Sequence, residues 1–203
     1  MTKSDSLVRD LERVTQPGSG TMAELHQRLA TAAQREGLLD IAYCTVDSPV
    51  GSLLLAATEQ GLVRVAYARE DHDAVLAQLA DKISPRILLA PARLDPVARE
   101  LDEYFSRTRR SFDLPLDWRL AAGFRSAVLH HLPEIGYGQT ASYAAVAALA
   151  GSPKAVRAVG TACAKNPLPV VVPCHRVVRS DGAMGGYLGG PEAKRLLLDL
   201  EAA

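Results

Sequence analysis

From Ile41 onward the apolar residues recur with a period of two, and this pattern restricts the folds open to the chain more than any other feature. Ile41 to Val46, Ser52 to Ala57 and Leu62 to Tyr67 are short β-type runs, separated by Asp47-Ser48-Pro49 and Glu59-Gln60-Gly61. Runs of that length between turn-forming clusters predict an antiparallel meander. Helical periods follow at about 71 to 83 and 95 to 107, then a short strand near Ser111 to Leu116. The stretch 41–118 therefore reads as a small α+β domain. Cys44 falls inside a strand pattern and reads as a small buried hydrophobe.

The residues on either side read as helical. Leu7, Leu11 and Val14 form a short stripe over residues 4 to 14, which Gln16-Pro17-Gly18-Ser19-Gly20 breaks as a linker. Thr21 with Glu24 three residues later is a capping-box start; Leu25, Leu29 and Ala32 supply an apolar face, and Gly37 a stop. Residues 1–40 thus form a helical extension that carries no chemistry. After Trp118, Phe124 to Leu132 is one helix. Ser142 caps a second that runs through Ala150 to Gly151, and Ser152-Pro153 start a third that runs to Cys163. The last two make a helix-turn-helix, a unit used both to read DNA and simply to pack. Ala155, Ala158, Gly160, Thr161 and Ala162 leave the third helix nearly bare, and Arg157 among them favours the DNA reading, since interior helices rarely carry a guanidinium.

Lys plus Arg and Asp plus Glu are 23 each, so net charge gives no argument for a nucleic-acid partner. From Ala121 to the C-terminus there are eight basic against five acidic residues, while Ile41 to Leu120 holds ten against twelve, an excess compatible with a weakly basic C-terminal half. The three cysteines, Cys44, Cys163 and Cys174, include no C-x-x-C pair, which argues against a disulfide framework or a cysteine-rich zinc site and for a reducing cytoplasm. No signal sequence and no apolar stretch of membrane-spanning length is evident.

The strongest chemical signal is Pro173-Cys174-His175-Arg176-Val177, entered through Val170-Val171-Val172. A free thiol is mostly protonated at neutral pH, so a nucleophile needs a base or positive potential beside it. His175 is the candidate base, in direct contact or through a water, because adjacent side chains tend to point apart. Glu201 could orient His175 if the helix beginning at Pro191 folds back. From these residues alone Cys174 is either such a nucleophile or an inert core thiol.

Thr140-Ala141-Ser142-Tyr143, then Ser152 through Gly160, then Asn166-Pro167-Leu168-Pro169 leading into Pro173-Cys174-His175-Arg176-Val177-Val178, then Gly186-Tyr187-Leu188-Gly189-Gly190 occur in an order that closely resembles the O6-alkylguanine-DNA alkyltransferases. The resemblance runs from about Phe124 to Glu201, fits 41–118 more loosely and leaves out residues 1–40. It implies a ribonuclease-H-like N-terminal domain over 41–118, then a helical, winged helix-turn-helix domain over 119–203.

The function implied is direct reversal of DNA damage. Duplex DNA binds the helix-turn-helix through the minor groove, an alkylated guanine is flipped out, and its alkyl group passes once and irreversibly from oxygen to Cys174; O4-alkylthymine is a further expected substrate. By the same resemblance His175 is the water-linked base, Glu201 its orienter, and Asn166 the residue tying the turn before the site to the helix-turn-helix. Arg157 fills the gap left by the flipped base, and Tyr143 helps rotate the nucleotide and donates to it. The carbonyls of Cys174 and Val177 read the guanine amino group, and the Leu188 N–H faces the guanine oxygen. Ser142, Ala155 and Tyr187 complete the expected DNA- and substrate-binding set.

No cofactor is implied. Some relatives carry zinc in the N-terminal domain, but only Cys44, His72 and scattered histidines are available here, so no metal is expected. Leu129, Gly136 and Leu188 depart from a tryptophan, a proline and a serine or glycine common in the family. A monomer is expected in solution, with clustering on DNA left open. Against this stand a damaged-base sensor or DNA-binding regulator, which would not need Cys174, and a cysteine hydrolase, which would not need Tyr143 and Arg157.

Overall fold

The structure, a computed structural model, describes residues 19–202. The stripe predicted over 4–14 and linker residues 16–18 lie outside this range. Helix α1, Ser19–Arg35, begins two residues before Thr21, so Ser19 and Gly20 belong to the helix and not to a linker. Its predicted apolar face is also rotated. Leu25, Leu29 and Ala32 are exposed, and Ala30 and Ala33 are the residues that pack, with Leu39, Ala42 and Ala90. Small side chains let the helix lie close against the domain behind it, which leucines at those positions would prevent.

The meander forms as expected: β1 (Ile41–Val46), β2 (Leu53–Thr58) and β3 (Gly61–Tyr67) are antiparallel neighbours. After β3 the chain passes through α2 (His72–Lys82) to β4 (Ile87–Leu89), which pairs in parallel with β1, so the sheet order is β3-β2-β1-β4. Sequence patterning missed β4, a three-residue run. The strand predicted near Ser111 to Leu116 shrinks to a single bridge between Leu116 and Leu62, because Pro115 has no N–H to give to a ladder. The segment docks instead through Leu62 N–H to Pro115 O at 2.8 Å and Asp117 N–H to Leu62 O at 2.9 Å. Gly61 permits that approach: a Cβ there would lie 2.1 Å from Pro115 O, and its φ is +138°.

Every residue of β2 is buried, as expected of a central strand covered on both faces. On one face Leu54 and Ala56 join Ile41, Val63 and Ala66 under Val75 and Leu79 of α2. On the other, Leu53, Leu55, Val65 and Tyr67 meet Val97, Leu101 and Tyr104 of α3 (Asp95–Phe105). That second core continues without a break into the C-terminal part, through Val128, Leu129, Val146, Val159, Leu168, Val172 and Leu197. Leu129, where the family often has tryptophan, is fully buried in it.

The C-terminal part contains α4 (Phe124–His131), α5 (Tyr143–Leu149), α6 (Val156–Ala164) and α7 (Pro191–Ala202). Two-residue strands β5 (Ala141–Ser142) and β6 (Val177–Val178) pair in parallel and bring the start of α5 beside the end of the cysteine turn. Ser142 caps α5 as predicted, accepting from Ala145 N–H at 3.1 Å. The start of α6 is corrected: Ser152-Pro153 lie in a preceding turn closed by Ala155 N–H to Ser152 O at 2.8 Å, and Ala155 is the residue before the first helical turn.

Candidate active site

Cys174 sits at the first position of a single 3-10 turn, Cys174–Arg176, on the way out of a tight buried turn that starts at Asn166. Asn166, fully buried, closes that turn on itself. Its Oδ1 accepts from Leu168 N–H at 2.9 Å and its Nδ2 donates to Val172 O at 2.9 Å. The same amide nitrogen lies 3.1 Å from Cys174 Sγ and donates to it. Asn166 thus reaches the sulfur itself, a contact that the expected turn-tying role does not include. Val170, in the middle of the turn, has φ +73°, a left-handed conformation costly for a β-branched residue and held only because the surroundings over-determine it. Part of the restraint comes from the edge of the sheet: Val65 N–H of β3 donates to Pro167 O at 2.8 Å.

Cys174 and His175 take different hydrogen-bond partners, Asn166 and Glu201. The His175 imidazole is fully buried and meets Glu201, brought in by α7, with Nε2 to Oε1 at 2.8 Å. Arg176 Nε donates to Glu201 Oε2 at 2.8 Å and its Nη2 to Oε1 at 3.0 Å; Tyr104 OH donates to Oε1 at 2.6 Å; Gly138 N–H donates to Oε2 at 3.2 Å. Burial alone would raise the Glu201 carboxyl, but the hydrogen bonds from His175, Arg176 and Tyr104 outweigh it and hold the pKa at about 2. Glu201 is therefore an anion, an acceptor only, which fixes the proton of His175 on Nε2 and leaves Nδ1 with its lone pair. Nδ1 is buried and has no hydrogen-bond partner among the described residues. Burial lowers the His175 pKa from its ordinary value, opposed by Glu201, so the ring is neutral at pH 7. The arrangement is a buried base with one free lone pair.

Burial pushes the Cys174 thiol up to about 11, while the Asn166 hydrogen bond and the nearby Lys194 charge act to lower it. Lys194 has no sequence signature of its own, yet it is fully buried and donates to Val177 O at 2.7 Å and to Met184 O. Val177 O, expected to read a guanine amino group, is thus already engaged once. The Cys174 carbonyl likewise accepts from Val177 N–H. Each keeps one lone pair for a further donor.

A cavity of about 570 Å³ opens beside this turn, lined by Tyr143, Gly160, Ala164, Tyr187 and Leu188 with Arg69 and Glu70 of the sheet domain. Tyr143 begins α5 and packs directly against Gly185, where a Cβ would meet its hydroxyl at 2.8 Å. Burial, with the neighbouring sulfurs of Cys163 and Cys174, raises its phenol above the ordinary tyrosine range. Tyr187 OH and Tyr67 OH are 2.8 Å apart, joining the loop before α7 to the end of β3. Leu188 is half-buried at the rim, whereas Arg157 is exposed on the first turn of α6 and does not line the cavity. Cys174 is also absent from the lining, being only 2% exposed.

Tyr104, Arg176 and Lys194 are the members that sequence reasoning missed. Lys194 and Glu201 had a readable signal, since both fall on the buried stripe of α7 with Ala193 and Leu197.

Residues 41–118 match the ribonuclease-like domain of 6-O-methylguanine DNA methyltransferases, and residues 123–203 match their DNA-binding domain. The constitutive methylated-DNA–protein-cysteine methyltransferase of Bacillus subtilis is 39% identical over 163 residues, covering 78% of this chain and 94% of that protein. The O6-methylguanine methyltransferase of Mycobacterium tuberculosis superposes with a TM-score of 0.69 at 34% identity, over 80% of this chain and 93% of that one. The same organism's OGT in complex with DNA gives 0.67 at 34% identity, over 79% and 92%. Two matched domains in the right order, the second of them carrying a buried Cys-His-Glu constellation, place the chain in the 6-O-methylguanine DNA methyltransferase family.

Proposed function

We propose that the protein repairs O6-alkylguanine in duplex DNA by a single transfer of the alkyl group to Cys174. The observation that carries this reading is the pairing of a buried thiol, touched by Asn166, with a neutral buried imidazole whose free nitrogen is fixed by an ionised Glu201. The thiol proton passes to His175 Nδ1 through one water, Sγ attacks the alkyl carbon, and the bond from that carbon to the guanine oxygen breaks. The net change moves the alkyl group from oxygen to sulfur and returns one proton to guanine. The imidazolium formed on the way is stabilised by Glu201, which Arg176 and Tyr104 hold in place.

Tyr143 stays protonated at neutral pH and serves as a donor to the flipped base, while Arg157, with Ser142 and Ala155 beside it on the helix-turn-helix, enters the gap in the duplex. Tyr187 and the backbone of Leu188 form the wall facing the guanine. A thioether has no easy leaving group, so each molecule reacts once.

Three units are proposed, an extension through residue 40, a domain over 41–118 and a domain over 119–203, acting as a monomer. No helix among the described residues is long and apolar enough to cross a membrane, and a cytoplasmic location is proposed. The test is to incubate the protein with a duplex containing O6-methylguanine and weigh it intact. One added methyl group on Cys174 and no turnover are expected; a protein that binds the lesion and stays unmodified would exclude transfer in favour of a sensor.

A further inference from the structure

A second cavity, of about 640 Å³, lies where the sheet domain meets the C-terminal helices. Five segments each contribute one basic residue to its lining: Arg64 from β3, Lys82 from the end of α2, Arg119 from the turn after the sheet domain, Arg125 from α4, and Lys165 just past α6. The one acid in the lining, Glu70, is paired with Arg64, and Arg119 is held 2.7 Å from Asp117. Lys82, Arg125 and Lys165 make no ion pair among the described residues. Arg125 is already oriented, its Nη2 donating to Leu120 O at 2.6 Å, and its buried Nε has no hydrogen-bond partner among the described residues.

Three cations without an ion-pair partner among the described residues, gathered in a partly enclosed cleft, match a run of phosphate oxygens better than a neutral or apolar ligand. The cleft also adjoins the cavity beside the cysteine turn, with which it shares Glu70, Ala164 and Leu188. We propose that this interdomain cleft binds the phosphate backbone of DNA, extending the contact surface from α6 onto the sheet domain through Lys82. The inference rests on the reading that duplex DNA lies along α6.

Lys82 decides it, because it is exposed on the sheet domain and lies outside the transfer machinery, whereas Lys165 follows α6 directly and a contact there is expected of any helix-turn-helix reading. The affinity of the full chain for an undamaged duplex is measured against salt concentration, for the wild type, Lys82→Ala and Lys82→Glu. Loss of one phosphate contact should weaken binding by roughly threefold to tenfold at low salt and make the slope of log K against log salt shallower by about one, with a larger loss for Lys82→Glu. Methyl uptake from free O6-methylguanine base, which has no backbone, should be unchanged in both variants and shows that they are folded. Wild-type affinity and slope in both variants would overturn the proposal. So would stabilisation by inorganic phosphate that depends on Lys82 while duplex binding does not, since the cleft would then be a small-anion site. A wild type that takes up no methyl group would sink the transfer reading and still leave the salt slopes readable.

Discussion

Cys44 and Cys174 are buried to nearly the same degree, and burial pushes both thiols up to about 11. Yet one lies in a strand of the sheet and the other at the centre of the site. The difference is in what surrounds the sulfur. Beyond burial, Cys44 is influenced by the negative charge of Asp95, which raises it further. Cys174 accepts a hydrogen bond from Asn166 and has the buried ammonium of Lys194 nearby, and both favour the thiolate. Next to it in the chain stands a base with a free lone pair. On the proposed reading, reactivity is set by a few polar groups assembled from the Asn166–Arg176 turn, α7 and the sheet domain, and hardly by the acidity of the resting thiol.

The sharpest way to break that comparison is to exchange the two sulfurs' roles. Cys174→Ser should abolish methyl uptake in the intact-mass assay, and Cys44→Ser should leave it unchanged; uptake surviving in Cys174→Ser would locate the acceptor elsewhere. Glu201→Gln comes next. It keeps the shape but removes the anion that stabilises the imidazolium, so the single-turnover rate should fall by about 10²–10⁴-fold. A loss of less than tenfold would reduce Glu201 to a structural strut.

The pH dependence separates the two thiols further. Because His175 titrates below its ordinary value, its base is available throughout pH 7 to 9, and transfer by the wild type should be nearly flat there. In His175→Ala the thiol must ionise unaided, and the rate should be lower at pH 7 and climb by about tenfold per pH unit toward a thiol pKa of about 11. Alkylation of Cys44 by a small haloacetamide should climb in the same way in both proteins. A flat profile in His175→Ala would remove the imidazole from the proton path.

Smaller effects are expected at the supports. Asn166→Ala leaves the buried Leu168 N–H without its acceptor and should cost about 1–3 kcal/mol in urea unfolding, besides slowing transfer. Tyr104→Phe removes one of the donors to the Glu201 carboxylate. Glu201 contributes stability that is fully present above its unfolded pKa near 4.5 and is lost as the pH falls through the folded value of about 2. With one donor fewer, the folded value should rise and the acid midpoint of unfolding move up; an unmoved midpoint would mean that the Tyr104 hydroxyl adds nothing.

What could be read in the sequence divides along the same line. The meander, the helix-turn-helix and the cap at Ser142 follow from local periodicity and turn chemistry, which a single sequence displays. The face of α1, the first turn of α6 and strand β4 do not, because packing distance, a proline turn and sheet pairing decided them. Cys174 and His175 stood out as residues, while their arrangement did not. The donor from Tyr104 crosses from the sheet domain to a carboxylate 97 positions away, and no local pattern announces it. Arg176 was quoted within the cysteine motif without a role, because a cation following a buried run gives no hint that it will turn inward. Lys194 was legible in principle, as a lysine on the buried stripe of α7 that only an internal acceptor could justify.

The apolar core that runs from β2 through α3 into α4, α6 and α7 has a consequence for how the molecule comes apart. The short connection after Trp118 is no hinge, since the side chains on either side of it interlock. Heat or denaturant should therefore release both halves in one cooperative step, and amides in β2 and α6 should exchange with solvent only through that shared opening. A half transplanted from a relative would inherit one side of an interlocked surface, and would fold well only with its matching neighbour.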